Sequence, residues 1–366
     1  MVATIRSRLT DWTVVVPLLA VLVLVLTWGR ELPAILVLLV AVFLAGAVLA
    51  AVHHAEVVAH RVGEPFGSLV LAVAVTVIEV ALIVTLMISG GDKTQALARD
   101  TVFAAVMITC NGILGLSLLL GALRRRVATF NPEGTGGALA TVTTLATLSL
   151  VVPTFTTSRP GPEFSPAQLA FAAVASLGLY GLFVMVQTGR HRDYFLPVNS
   201  EGRVLDTAQH ADPPSGRAAV ASLVLLVIAL IAVVGHAKSV SPAIESAVAA
   251  ANLPQSVVGV VIALLVLLPE TLAAARAARR DRVQISLNLA LGSAMASIGL
   301  TIPAIALASV WLDGPLLLGL GGTQMVLLAL TVVTGVLTVV PGRATLLQGG
   351  VHLSLLAAFL FLAASP

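Results

Sequence analysis

The chain has one cysteine in 366 residues, only 10% charged residues and 4% aromatic ones. A single cysteine, Cys110, excludes an intrachain disulfide, and its place inside an apolar run reads as a small packing residue. Soluble globular chains carry about 25% charge, so this composition excludes an ordinary soluble domain. The net charge is only +3, and the pI of 9.6 therefore does not imply nucleic-acid binding. No Gly-rich phosphate loop appears, so no ATP site is expected and no organic cofactor is implied. No nucleophile or metal triad lies within the apolar runs, which argues against an enzyme.

What fills the chain instead is hydrocarbon: 58% hydrophobic residues and a mean hydropathy of +1.05. Runs of about 20 apolar residues mark transmembrane helices. They fall near 12–29, 33–54, 67–89, 101–123, 137–154, 166–187, 218–235, 255–275, 284–310, 315–340 and 345–364. The fold class expected is an all-α polytopic membrane protein of eleven spans. Arg6 and Arg8 precede the first run, but Gly-Arg-Glu-Leu-Pro follows it in place of a small-residue cleavage site, so we read a retained span and not a signal peptide. The only sizeable polar stretch is 188–217.

Fifteen of the 20 lysines and arginines fall on the side of the N-terminus and five on the other. The positive-inside rule then puts the N-terminus in the cytoplasm and the C-terminus outside, in the inner (plasma) membrane. Set aside 1–32 as a leading helix. The rest divides into a first repeat at 33–187, a cytoplasmic loop at 188–217 and a second repeat at 218–366. With five spans between equivalent positions, the two repeats are inverted, as in transporters with a midplane site.

Of 17 aspartates and glutamates, only Glu79 and Glu270 fall within those spans, and no lysine or arginine does. A carboxylate at mid-bilayer costs about 2.5–3.5 kcal/mol on insertion scales and is usually functional. Without a basic neighbour it stays protonated or binds a cation. Two such groups could hold one divalent ion or two protons, but hardly both, and that competition is the physical core of cation/proton exchange. The bland alternative is a pair of protonated, hydrogen-bonded acids that only fix packing.

The helix after each glutamate carries Asn-x-x-x-Gly: Asn111 with Gly115, and Asn288 with Gly292. This spacing places amide and glycine on one face, where the amide oxygen could be a neutral ligand and the glycine could admit close backbone approach. Interhelical packing is the competing reading. Ser286, Ser293 and Ser297 form a polar stripe, with Ser293 the one expected to line the site. Thr76, three residues before Glu79, and Ser286 could support the carboxylates from one step further out, although hydroxyl back-bonding to the helix is as good a reading. Pro269 removes a donor just before Glu270 and loosens the carbonyl near Leu265. Glu270 also lies only six residues before Arg276, so either the eighth helix is broken there or it runs a turn further. His53, Glu56 and His60 could form a metal or pH sensor on a helix extension, but a solvated helix end fits as well. Arg276, Arg279, Arg280 and Arg282 read as anchors on anionic membrane lipid.

Several stretches resemble the calcium/cation antiporter superfamily, most closely its bacterial calcium/proton antiporters. They are Gly-Glu-Pro-Phe-Gly (63–67), Ile-Glu-Val-Ala-Leu (78–82), Cys-Asn-Gly-Ile-Leu-Gly-Leu (110–116), Arg-His-Arg-Asp-Tyr-Phe (190–195), Leu-Leu-Pro-Glu (267–270), Ala-Ala-Arg-Arg-Asp-Arg (277–282) and Ser-Leu-Asn-Leu-Ala-Leu-Gly-Ser-Ala (286–294). The resemblance implies two inverted repeats whose central glutamates, here Glu79 and Glu270, alternately bind calcium and protons. The wider superfamily has Gly-Asn just upstream of each glutamate, whereas Val75-Thr76 and Val266-Leu267 stand here, which implies fewer side-chain ligands. The expectation is therefore calcium export against proton entry, with a sodium or potassium/proton antiporter as the nearest rival and a cation channel behind it. The oligomeric state is left open.

Overall fold

The computed structural model describes residues 11–30, 32–63, 66–198, 213–311 and 314–366. Most of the polar loop (199–212), Arg6, Arg8, Glu64 and Pro65 lie outside the described residues. Twelve helices follow in order: α1 Trp12–Thr27, α2 Ala34–Val62, α3 Phe66–Gly90, α4 Leu97–Arg125, α5 Pro132–Thr154, α6 Pro166–Arg190, α7 Gly216–Ala250, α8 Ser256–Val266, α9 Leu268–Arg279, α10 Val283–Ala308, α11 Gly322–Val339 and α12 Leu346–Ala364. Among the described residues nine are long and apolar enough to cross a membrane, and α8 with α9 forms a further span bent by 52°. With the shorter α1, these occupy the eleven segments expected from hydropathy.

Two helices overrun their expected ends. α2 continues to Val62 and α7 to Ala250; the α2 extension is made of helix formers, and α7 runs on through Pro242 into an alanine-rich end. At 35 residues α7 is about 52 Å long, well beyond a hydrocarbon layer of ~30 Å. It takes Lys238 and Glu245 into a helix, as α4 takes Asp100. The ionisable census is therefore longer at the helix ends than the sequence alone suggests. His54, His236 and His352 also fall within spanning helices.

The chain forms two compact units, each drawn from both halves: Met1–Thr94 with His210–Leu253, and Gln95–Gln209 with Pro254–Pro366. In the first, α1, α2, α3 and α7 pack together. Two buried histidines hold α1. Pro17 lies inside α1 and has no N–H for the carbonyl of Thr13. His54 of α2 supplies one, with Nε2 donating to that carbonyl at 2.9 Å. Its Nδ1 must then accept, and it does so from the Ser222 hydroxyl of α7 at 3.3 Å. Two turns along α1, His236 of α7 donates from Nε2 to the carbonyl of Ala20 at 2.8 Å.

The turn between α2 and α3 explains one resembling stretch. Gly63 ends α2 at φ +76°, a left-handed conformation that suits glycine. At Gly67 a Cβ would stand 2.5 Å from the Ala59 carbonyl oxygen.

In the second unit α4 is central, with 89% of its most apolar window buried, against 17% for α12. Its middle, Ile108–Ile113, is a π turn, a distortion frequent at functional sites. The end of α4, the start of α10 and the end of α11 are tied together by a short antiparallel ladder between β1 (Ala128–Thr129) and β2 (Arg343–Ala344) and by Asn131, whose backbone N–H donates to Gln284 Oε1 at 2.6 Å.

Replacing His54 with Leu should strand the Thr13 carbonyl and cost about 1–3 kcal/mol, and Ser222→Ala should cost less. Thermal unfolding in detergent measures both. An unchanged midpoint in His54→Leu would contradict the assigned role.

Candidate cation site

Glu79 is the fourteenth residue of α3, an unbroken helix of 25 residues, and it is buried at 3% exposure. Thr76, also buried, sits one turn earlier on the same face. Between Phe66 and Gly90 the helix has no lysine or arginine. Its neighbours in the first unit are α2 and α7.

Glu270 lies in the second unit and in a different local setting. The eighth span breaks at Leu267, and Glu270 stands in the first turn of α9, immediately after Pro269. Both sequence alternatives hold: the helix is broken, and it also runs on to Arg279. Pro269 cannot donate to the Leu265 carbonyl, so the break exposes backbone acceptors on one side. On the other side the N-terminal N–H groups of α9 and its dipole favour a negative charge beside them. Glu270 is half-buried. One unit thus has a carboxylate in mid-helix, and the other has one at a helix start.

The hydroxyls expected around the carboxylates serve mainly as fasteners. Ser286 of α10 donates to the Ala274 carbonyl of α9 at 2.6 Å, one turn beyond Glu270. Its oxygen also meets the Ser117 hydroxyl of α4 at 2.5 Å, and Ser117 in turn hydrogen-bonds the Ile113 carbonyl at 2.6 Å. Ser286 therefore fixes α9, and with it the turn that carries Glu270, against α4 and α10. Ser293 is half-buried on α10.

The two asparagines are not equivalent. Asn111 lies in the π turn of α4 with its amide engaged on both sides. Its Nδ2 donates to Thr331 Oγ1 of α11 at 2.8 Å, and its Oδ1 accepts from His352 Nδ1 of α12 at 3.0 Å. The Nε2 of His352 then accepts from Thr338 at 3.2 Å. All four side chains are buried. Asn288 instead sits near the start of α10, where Nδ2 donates to the Phe195 carbonyl at 2.6 Å and Oδ1 accepts from Gln284 at 2.8 Å.

The glycines differ in the same way. Gly115 lies at a close crossing of α4 and α12, where a Cβ would stand 2.8 Å from His352 Cβ, whereas a Cβ on Gly292 would meet nothing within 4 Å. The expectation of close approach therefore holds for Gly115 and fails for Gly292. The Asn-x-x-x-Gly pattern repeats in sequence without repeating in environment. Among the described residues no group of three His, Cys, Asp or Glu could hold a metal ion, so His53, Glu56 and His60 form no such cluster. His53 faces the Trp12 ring instead, at 6.4 Å between centroids.

The buried histidines and their threonine and serine partners were missed by the sequence reading. A signal existed for one of them: a proline inside α1 leaves a carbonyl in need of a donor, and His54 is a donor within an apolar helix.

The family described as sodium/calcium exchanger protein matches residues 32–189 and 221–364. The chain is 48% identical over 358 residues to the putative ionic transporter y4hA of Sinorhizobium fredii (strain NBRC 101917 / NGR234), covering 97% of this chain and 96% of that protein. It is 34% identical over 360 residues to the sodium-potassium/proton antiporter ChaA of Escherichia coli (strain K12), covering 97% of each. Its fold resembles native YfkE, with a TM-score of 0.70, 16% identity and coverage of 97% and 99% of the two chains. It equally resembles the H+/Ca2+ exchanger CAX, with a TM-score of 0.70, 15% identity and coverage of 98% and 92%. At these identities the two structures speak to fold alone.

Gly349→Ala would drive a Cβ to 2.8 Å from the Leu119 backbone nitrogen, and it should cost about 1–3 kcal/mol. Gly292→Ala should be neutral or stabilise by up to about 1 kcal/mol. Thermal unfolding of both in detergent tests the assignment, and equal losses would contradict it.

Proposed function

The chain belongs to the sodium/calcium exchanger family, a family of secondary cation transporters embedded in the membrane, and from that premise we propose that it is a calcium/proton antiporter. It exports calcium from the cytoplasm in exchange for protons by alternating access. Glu79 and Glu270 are the carboxylates that take up calcium or protons. The observation that carries this reading is that each compact unit holds one glutamate within a spanning segment, Glu79 in the middle of α3 and Glu270 at the break between α8 and α9.

The chemistry follows from the cost of an ionised group in hydrocarbon. A divalent ion balances two carboxylates, and two protons do the same, so the loaded and the proton-carrying forms are both neutral overall. A form with neither would hold two uncompensated charges and is disfavoured. That makes the exchange obligatory. The broken span at Leu267 supports the role of Glu270, because carbonyls freed by Pro269 are hard-cation ligands. Ser286 contributes by holding α9 in place, Thr76 stands one turn from Glu79, and Ser293 is the hydroxyl of α10 best suited to add a neutral oxygen. Asn111 and Asn288 are the candidate neutral ligands, each with an amide oxygen that accepts one hydrogen bond and keeps a second lone pair.

We further propose the inverted arrangement of 33–187 and 218–366, a cytoplasmic N-terminus and an outer C-terminus in the inner membrane. The asymmetry of basic residues supports that orientation.

A second reading, sodium or potassium in place of calcium, is favoured by the 34% identity to a relative named as a sodium-potassium/proton antiporter. On two carboxylates a monovalent ion would have to travel with one retained proton, so the two readings differ in protons exchanged per cation: two for calcium and one for sodium or potassium.

Proteoliposomes carrying an imposed proton gradient distinguish them. Addition of calcium should release protons, and sodium or potassium should release fewer. No proton movement with calcium would refute the calcium reading. Glu79→Gln and Glu270→Gln, made separately, should each slow exchange by at least ~30-fold, since removing one side of a buried charge interaction costs roughly 2–5 kcal/mol. A normal rate in either would remove that glutamate from the site.

A further inference from the structure

We propose that one end of the second unit is a docking platform for the phosphate headgroup of an anionic phospholipid, and that the bound lipid holds α9 and so sets the rate of exchange. The second half of this statement rests on the exchange reading above.

Three loops meet at this end. The first follows the last turn of α4, which carries Arg124 and Arg125, and begins with Arg126. The second, between α9 and α10, carries Arg280 and Arg282 just past Arg279. The third, after α11, carries Arg343. All seven arginines are exposed. The loops are physically joined. Arg125 Nη2 meets Asp281 Oδ2 at 2.5 Å and bridges the first to the second. The β1–β2 ladder and the bond from Phe130 N–H to the Gly342 carbonyl, 3.0 Å, bridge the first to the third. Asp281 is the one acidic residue within these turns, and it serves as a strut between them.

An excess of basic residues at loop ends is what orientation alone would require. Two features go beyond that. The first is backbone cost. Each loop turns through one left-handed residue: Arg126 at φ 65°, Asp281 at φ 64° and Gly342 at φ 65°. Glycine makes such a turn without penalty, whereas another residue pays roughly 1–2 kcal/mol. At Asp281 the side chain explains the choice, since it forms the inter-loop ion pair. Arg126 has no such structural bond, so its guanidinium is retained at a backbone cost and directed outward beside six others. The second feature is rigidity. Surface arginines normally lose rotamer and loop entropy on binding a phosphate, but here the loops are already pinned.

The guanidinium fork matches a phosphate in two-point hydrogen bonding, and a lipid supplies that phosphate at the depth where spanning helices end. The consequence for transport follows from connectivity. Arg279 is on the same short helix as Glu270, nine residues on. A lipid clamped across Arg279, Arg280 and Arg282 fixes the far end of that helix, and Ser286 fixes its middle.

The test uses the whole chain reconstituted into vesicles of phosphatidylcholine alone or with a fifth of phosphatidylglycerol. Lipid retained on the purified protein is measured by native mass spectrometry, and exchange by calcium-driven proton flux. Phosphatidylglycerol should be retained and should raise the rate severalfold. Each arginine at an anionic surface is worth about fivefold in partition, so Arg279→Gln/Arg280→Gln/Arg282→Gln should lose roughly a hundredfold in retention. It should also lose the rate increment while keeping the phosphatidylcholine rate. Arg126→Gly separates a lipid role from a structural one, because it should weaken retention about fivefold without lowering the unfolding midpoint. The platform is refuted if these variants retain lipid like the parent. It is equally refuted if Arg126→Gly unfolds earlier with retention intact, or if inorganic phosphate in phosphatidylcholine vesicles gives the same increment. Absence of flux with every cation would overturn the exchange reading alone, and the retention measurements would still decide the platform.

Discussion

A carboxylate inside hydrocarbon must be neutralised, by a proton or by a cation. The rest of this structure can be read as a response to that constraint. The arginines concentrate at helix ends, and α3, which carries Glu79 in its middle, has no lysine or arginine of its own. Lys238, on the long α7, lies 5.5 Å from the centre of the Trp28 ring, and Asp100 is paired with Arg99 at 2.8 Å. On the antiporter reading the two glutamates meet this constraint with exchangeable charge, which is the property a transporter needs.

The second theme is how backbone breaks are made tolerable where water is scarce. Each proline inside a helix releases a carbonyl that something must satisfy. In α1 the carbonyl freed by Pro17 is taken by His54, and the helix is locked in place. In the eighth span Pro269 accompanies a 52° break, and here the opened backbone stands next to Glu270. The same chemical event thus gives a structural clamp in one unit and a candidate ligand surface in the other. Helix contacts elsewhere follow membrane rules, with Gly115 and Gly349 admitting close backbone crossing and serine and threonine hydroxyls bridging helices.

Much of this was legible in the sequence. The number of spanning segments, the two glutamates and the Leu-Leu-Pro-Glu break could be read because a charge or a proline in an apolar run has few explanations. Helix ends were harder. Hydropathy follows the membrane, but a helix continues as long as its residues allow, which is why α2 and α7 run past their apolar runs. The asparagines show another kind of limit. Asn111 and Asn288 share a motif, yet one closes a network with His352, Thr331 and Thr338 while the other caps the Phe195 turn. A side-chain amide bonds to whatever tertiary packing brings near, and local spacing does not encode that. Gly292 fails as a close-packing residue for the same reason: no neighbouring helix approaches it.

The most direct measurement is the number of protons released when calcium binds to the purified protein. It can be obtained from binding calorimetry in buffers of different ionisation enthalpy. If Glu79 and Glu270 exchange protons for a divalent ion, calcium binding must release protons, and the release must fall as pH rises until both carboxylates start ionised. Calcium binding with no proton release at any pH would contradict the account.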